Sequence, residues 1–162
     1  MAVTLQDSNL VWQSVKAALA NANPAVVEAF RALKIYLATQ KGNPDLQFIP
    51  FSDADITQAT GYSPVAAACT VYGVYLAKTG TSGAGTATDS WLTVGNAATN
   101  TVDATKFIAL MTSFDGQEVF GIYPHGLAFG TDLTISGETS AQDGTESTAG
   151  DSGNGFVLIG AA

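Results

Sequence analysis

Short runs of hydrophobic residues, separated by turn-forming segments, occupy the chain from residue 69 onward. The runs are rich in β-branched and aromatic residues, and the segments between them are rich in glycine, serine, threonine and aspartate, which is typical of strands joined by turns. About seven such strands predict an antiparallel β-sandwich or jelly roll over residues 69–162. The predicted strands are 69–78, 90–94, 105–111, 117–123, 126–130, 133–139 and 155–161.

Two stretches before the strands have the hydrophobic spacing of helices. In SNLVWQSVKAALAN, Ser8 can cap the amino end and apolar residues recur every three or four positions. In NPAVVEAFRALKIYLATQKG, Asn23 caps, Pro24 takes the first helical position and Gly42 follows the last turn. We therefore expect residues 1–42 to form a helical segment ahead of the sandwich.

The segment between the helices and the sandwich, residues 43–68, is apolar but irregular, because Pro44, Pro50 and Pro64 interrupt any regular pattern. One interpretation is an extended arm whose apolar side chains bind a partner protein. The other is a segment that wraps the sandwich and completes its core. The first interpretation predicts these contact residues in the arm and the preceding helix: Phe30, Leu37, Leu46, Phe48, Ile49, Phe51 and Ile56.

Charge is scarce and unevenly distributed. Charged residues make up 12% of the chain and hydrophobic residues 46%, and the net charge is −8. Residues 1–41 carry four basic and two acidic residues, a net charge of +2, whereas residues 42–162 carry two basic and twelve acidic residues, a net charge of −10. An acidic chain of this kind is a poor match for nucleic acid, which basic residues bind.

Targeting and redox signals are sparse. The first ten residues, MAVTLQDSNL, lack the basic and apolar regions of a secretory signal, and no run approaches the roughly 20 apolar residues that span a bilayer. We expect a protein made in a cytoplasm, with no membrane partner. The single cysteine, Cys69, lies among apolar neighbours and is predicted to be a small buried residue.

The residues that could support catalysis do not form a recognisable motif. His125 is the only histidine, no G-x-S-x-G elbow is present, and the apolar surroundings of Cys69 would raise its pKa. Asp53 and Asp55 would lie on the same side of an extended segment, but no second feature indicates a cleft. We expect no enzymatic activity and no cofactor.

A polar loop offers oxygen ligands without the spacing of a calcium loop. The run DGTESTAGDSGNG contains Asp143, Glu146, Asp151 and Asn154, but a glycine stands where the D-x-[DN] pattern requires a ligand after Asp151. We expect a solvated loop and no metal site.

The run YPHGLAFGTDLTISGETSAQDGTESTAGDSGNGFVLIGAA, residues 123–162, resembles the small β-sandwich capsid decoration (cement) proteins of tailed bacteriophages, which are rich in alanine, glycine, threonine and serine. The resemblance implies a structural protein on the outside of an icosahedral capsid, bound to a major capsid protein of the HK97-like kind. It also implies a homotrimer that bridges neighbouring capsomers, without enzymatic activity. The protein would be made in the bacterial cytoplasm and located in the virion. The N-terminal helices depart from the sandwich-only form of the group.

A carbohydrate- or receptor-binding module of a phage head or tail fibre is the alternative. Trp91, Tyr75 and Tyr123 are aromatic residues that could stack on sugar rings, and polar loops lie between them. In a regular strand 69–78, Tyr72 and Tyr75 would point to opposite faces, with Val74 beside Tyr72.

Overall fold

A computed structural model describes residues 6–58, 61–78, 90–99, 105–112, 116–138 and 153–162. Its helices are α1 (Ser8–Ala18), α2 (Pro24–Gln40) and α3 (Asp53–Ile56). Its strands are β1 (Leu46–Phe51), β2 (Tyr62–Val65), β3 (Cys69–Lys78), β4 (Ser90–Gly95), β5 (Lys106–Thr112), β6 (Glu118–Phe129), β7 (Leu133–Glu138) and β8 (Gly153–Ala161).

The strands form two antiparallel sheets of four strands each. The first sheet has the order β1-β8-β3-β6 and the second has the order β2-β7-β4-β5. One cluster of buried side chains lies between them and includes Val71, Val74, Leu92, Ile135 and Val157. The prediction of a mainly β protein with an antiparallel β-sandwich is confirmed.

The two long helices cover the outer face of the first sheet. Helix α1 contacts β1 and helix α2 contacts β6. A second cluster of buried side chains fills the space between helices and sheet, with Val11, Val15, Phe30 and Leu33 from the helices and Phe156 among the residues from the sheet. The protein is therefore built of three layers, and the helical segment is packed against the first sheet rather than standing apart from it.

The local signals at the helix ends act as the sequence predicts, with one change. Asn23 Oδ1 accepts a hydrogen bond from the Ala25 N–H at 3.0 Å, Pro24 begins α2, and Gly42 has a φ of +67°, which favours glycine. Helix α1 begins at Ser8, but its capping side chain belongs to Asp7, which accepts from Asn9 N–H at 2.9 Å.

Two strands lie in the segment that the sequence describes as an irregular connector. Strand β1 pairs with β8 from Leu46 opposite Gly160 to Phe51 opposite Gly155. Its proline, Pro50, is tolerated because β1 is an edge strand, so that among the described strands none lies on its outer side to receive an N–H. Strand β2 is shorter and pairs with β7. The prolines therefore restrict residues 43–68 to edge positions without excluding strands.

A bulge in β3 overturns the predicted faces of its tyrosines. The register of β3 shifts between Val71 and Gly73, against both β6 and β8. As a result Tyr72 and Tyr75 both face the helices, and Val71 and Val74 both face the second sheet. The expectation that the two tyrosines point to opposite faces is wrong, because one additional residue in a strand reverses the alternation beyond it.

Among the described residues, no helix has both the length and the apolar character needed to cross a bilayer.

Candidate functional site

The seven residues predicted to contact a partner are built into the interior of this chain. Six of them have exposed fractions of 4% or less, and the seventh, Phe48, is partly buried. Ile49, Phe51 and Ile56 lie between the two sheets. The other four, Phe30, Leu37, Leu46 and Phe48, lie between the helices and the first sheet.

Pairing with β8 gives β1 an apolar environment on both of its faces, which explains this burial. Ile49 and Phe51 alternate with Leu46 and Phe48 along the strand, so each set enters a different cluster. The Phe48 ring packs 4.9 Å from the ring of Phe156 on β8. Residues 43–56 thus wrap the sandwich and complete its core. The expectation of an arm with its apolar side chains exposed to a partner is corrected.

A groove of about 500 Å³ lies beside β1, between the end of α1 and the first sheet. Phe48, Pro50 and Tyr75 form part of its apolar wall, and Ser14 and Asn154 add polar groups. The volume falls in the range of small-molecule sites. Of the four oxygen-bearing residues named in the polar loop, only Asn154 lies in the described ranges, because Asp143, Glu146 and Asp151 lie outside them.

The histidine and the cysteine considered for catalysis lie on opposite faces of the first sheet. Cys69 is fully buried between the sheets, where burial raises the pKa of its thiol to about 11. His125 is exposed on the helix side, with its Nδ1 3.3 Å from the hydroxyl of Tyr36 on α2. The two rings of that pair meet edge to face at 5.6 Å. The structure therefore does not bring His125 and Cys69 together as base and nucleophile.

The paired aspartates have a local structural role. Asp55 Oδ2 accepts hydrogen bonds from both the backbone N–H and the hydroxyl of Ser52, at 2.7 and 2.8 Å, and so caps α3. Asp53 is exposed at the start of the same helix. Within the described ranges, no three histidine, cysteine or acidic residues are grouped as metal ligands.

The aromatic residues proposed to bind sugar lie in different layers. Tyr75 is buried on the helix side, Tyr123 packs against the cluster between the sheets, and Trp91 is partly exposed on β4 of the second sheet. The structure does not assemble them into one stacking platform. Trp91 pairs across the sheet with Met111, which is 46% exposed.

The outer surface of α1 and α2 combines apolar and basic side chains. We call it the helical face and define it by Leu10, Lys16, Arg31, Lys34 and Ile35, all of which are exposed. Leu10 and Ile35 are 60% and 57% exposed, more than the other large hydrophobic side chains of the described residues.

The charge of the helical face differs from that of the rest of the chain. Four of the six basic residues of the chain lie within residues 16–41. The two acidic residues of residues 1–41 are both engaged locally, since Asp7 caps α1 and Glu28 pairs with Arg31 at 3.0 Å. Lys34 Nζ on α2 lies 5.8 Å from the ring centroid of Trp12 on α1. This cation–π contact joins the two helices at their outer surface.

Neither Leu10 nor Ile35 is among the contact residues that the sequence predicts. The helical spacing of Val11, Val15 and Leu19 marks the buried side of α1, and Leu10 falls outside it. Ile35 likewise lies off the stripe of Phe30, Leu33 and Leu37 on α2, so strict helical spacing is the signal that identifies both.

Comparisons of the chain with protein-family models, with curated proteins and with solved structures give no match.

Proposed function

We propose that this chain is a structural virion protein that binds the outer surface of an icosahedral phage capsid and bridges subunits of the major capsid protein. The proposal begins from the resemblance of residues 123–162 to capsid decoration proteins. Strands β6, β7 and β8, which belong to both sheets of the sandwich, lie in or overlap this stretch. A sandwich that packs against its own helices across the described residues suits a protein that reinforces a shell by adding contacts.

The exposure of Ile35 on α2, one turn from Arg31 and next to Lys34 in the sequence, is the observation that carries the proposal. The buried residues of 43–56 are committed to the chain's own core, so binding to a shell must use a surface that is exposed in the folded chain. The helical face offers exposed apolar area together with positive charge, and this charge would complement an acidic patch on the capsid exterior. Such complementarity accelerates docking and fixes its orientation.

The resemblance also implies an HK97-like shell and a homotrimer at local three-fold axes, and both are part of this proposal. Three copies joined around one axis would bind through three helical faces at once, which raises the effective concentration of each face after the first has docked.

Mass spectrometry of purified particles of the phage that encodes this chain tests the function directly. We expect the protein in a fixed stoichiometry with the major capsid protein, and we expect it to be accessible to protease on intact particles. Particles that lack it entirely would refute the capsid proposal.

A charge reversal on the helical face tests the contact surface separately. We expect Lys34→Glu to weaken binding to particles that lack the protein by about tenfold, because like charges would oppose an acidic patch. The matched control is Gln58→Glu with Ser63→Glu, which changes net charge by the same amount at exposed positions outside α1 and α2. If the control binds as weakly as Lys34→Glu, net charge rather than the helical face governs docking.

The partial exposure of Trp91 beside Met111 keeps a carbohydrate-binding role as a second candidate. Indole rings stack on sugar faces, and this pair lies on the second sheet, away from the helical face. Binding to a glycan array that is lost in Trp91→Ala would favour this role. Unchanged array binding in that variant would exclude Trp91 as the sugar platform.

A further inference from the structure

The outer edge of β1, which pairs with no named strand, forms hydrogen bonds to a residue from outside the sheet. Strand β1 is the first strand of its sheet and pairs only with β8 among the named strands. Gln6, which precedes α1, forms an isolated antiparallel bridge to Leu46. An edge strand of this kind normally presents unpaired backbone groups that another chain can bind.

Gln6 satisfies two of the outward backbone groups of β1, each with a different atom. Its backbone N–H donates to Leu46 O at 3.0 Å, and its side-chain Oε1 accepts from the Phe48 N–H at 3.1 Å. In a continued antiparallel ladder, the partner of the Phe48 N–H would be a backbone carbonyl. The amide side chain of Gln6 thus takes the place that a second strand would occupy.

Pro50 closes the next outward position of the same edge. Leu46, Phe48 and Pro50 alternate along β1, and the first two direct backbone groups away from β8 toward Gln6. Proline has no N–H to donate, so a strand added here would gain nothing from Pro50 as a donor. The Phe48 N–H is therefore the outward donor of β1 that the Gln6 side chain satisfies.

We propose that Gln6 is a strap that prevents β1 from pairing with a second copy of the same strand. Loss of the Gln6 acceptor weakens the hold of residue 6 on this edge, and once its backbone also leaves Leu46, two β1 edges meet antiparallel around a two-fold axis, with Phe48 opposite Phe48 of the other copy. In that register each Phe48 N–H donates to the Phe48 carbonyl of the other copy, which replaces the Gln6 side-chain hydrogen bond that each copy has lost. The arrangement is self-complementary, as a two-fold contact requires.

Replacement of the Gln6 side chain tests the strap in the full-length protein. At a protein concentration low enough that the variant has not dimerised, we expect Gln6→Ala to raise the amide hydrogen-exchange rate of Phe48 by about fivefold, the effect of losing one net hydrogen bond. We also expect the variant to form dimers of the species that the parent protein forms. Light scattering across a concentration series would detect them as a doubling of the molar mass. Gln6→Glu is the matched control, since its carboxylate keeps an acceptor at the same reach, and we expect parental behaviour.

Each result decides the proposal. Faster Phe48 exchange and new dimers in Gln6→Ala, with neither in Gln6→Glu, support it. Parental exchange in Gln6→Ala, or faster exchange without new association, overturns it. Equal association of both variants also overturns it, because the acceptor oxygen would then be irrelevant. Gln6→Asn, whose amide is shorter by one methylene group, provides a second variant, and we expect it to behave like Gln6→Ala.

Discussion

The phenol of Tyr75 on β3 donates a 2.6 Å hydrogen bond to Glu118 Oε1 on β6. The second oxygen of the same carboxylate accepts the backbone N–H of Asn23, the capping residue of α2, at 2.8 Å. One side chain therefore joins two strands of the first sheet to the start of the helix that covers them. Burial and the neighbouring Glu118 raise the pKa of Tyr75 above its usual value, which keeps the phenol protonated as the donor.

We expect Tyr75→Phe to lower the free energy of unfolding by about 1.5–3 kcal/mol, the typical contribution of a hydrogen bond to a charged group. Urea denaturation followed by circular dichroism measures it. Tyr72→Phe is the control, because Tyr72 faces the same cluster and no hydrogen bond of its hydroxyl is found among the described residues. If both variants lost the same free energy of unfolding, the hydrogen bond from Tyr75 to Glu118 would stabilise the folded protein no more than a hydrogen bond to water does.

The buried thiol of Cys69 makes stability depend on alkaline pH. Its pKa is about 11 in the folded chain and near 9 when the chain is unfolded, so the folded state holds the proton more tightly. The resulting stability is fully present below pH 9 and is lost as the pH rises from 9 to 11. We expect this to lower the free energy of unfolding by up to about 2–3 kcal/mol.

Cys69→Ala isolates that effect from the tyrosines, whose pKa values are also raised by burial at Tyr62, Tyr72 and Tyr123. We expect the variant to lose less stability than the parent between pH 9 and 11, measured by urea denaturation at each pH. Parallel curves for the two proteins would contradict the burial of the thiol. Ellman's reagent should also leave native Cys69 unmodified at pH 8 and modify it in urea.

The burial of Phe51 predicts a large effect of truncation. Phe51→Ala should destabilise the protein by about 3–5 kcal/mol, because it removes a ring that is 4% exposed between the sheets. Phe120→Ala is the matched control, since its ring is 37% exposed, and its effect should be clearly smaller. A Phe51→Ala protein as stable as the parent would mean that residues 43–56 are not part of the core in solution.

Deletion of residues 1–58 tests the layered structure as a whole. The deletion removes both long helices and β1, and so uncovers Phe156 and Leu158 on one face of the first sheet and the edge of β8. We expect the remaining chain to aggregate, as apolar faces and unpaired edges do. A soluble, monomeric remainder with a cooperative thermal transition would show that the sandwich is independent of the preceding segment.

The sequence by itself determined the limits of those elements that are stabilised by residues adjacent to them in the chain. Asn23, Pro24 and Gly42 act within one turn of α2, so its limits are readable from a few residues. Strand β3 was predicted at Cys69–Lys78, as the structure has it, because its apolar run is continuous and bounded by turn formers. The two runs 117–123 and 126–130 instead form one long strand, β6, because backbone pairing with β3 resumes beyond the irregularity between them.

Only the tertiary structure decided where the apolar residues are buried. The sequence shows that Phe48, Ile49 and Phe51 avoid water, but it cannot show that β8, more than 100 residues later, supplies the pairing strand that shelters them. The bulge beside Gly73 likewise depends on packing, since its effect is to place Tyr72 and Tyr75 under the same helices. The hydrophobic effect drives an apolar side chain out of water, but it does not select the residues that surround it. Long-range strand pairing and its register determine those contacts.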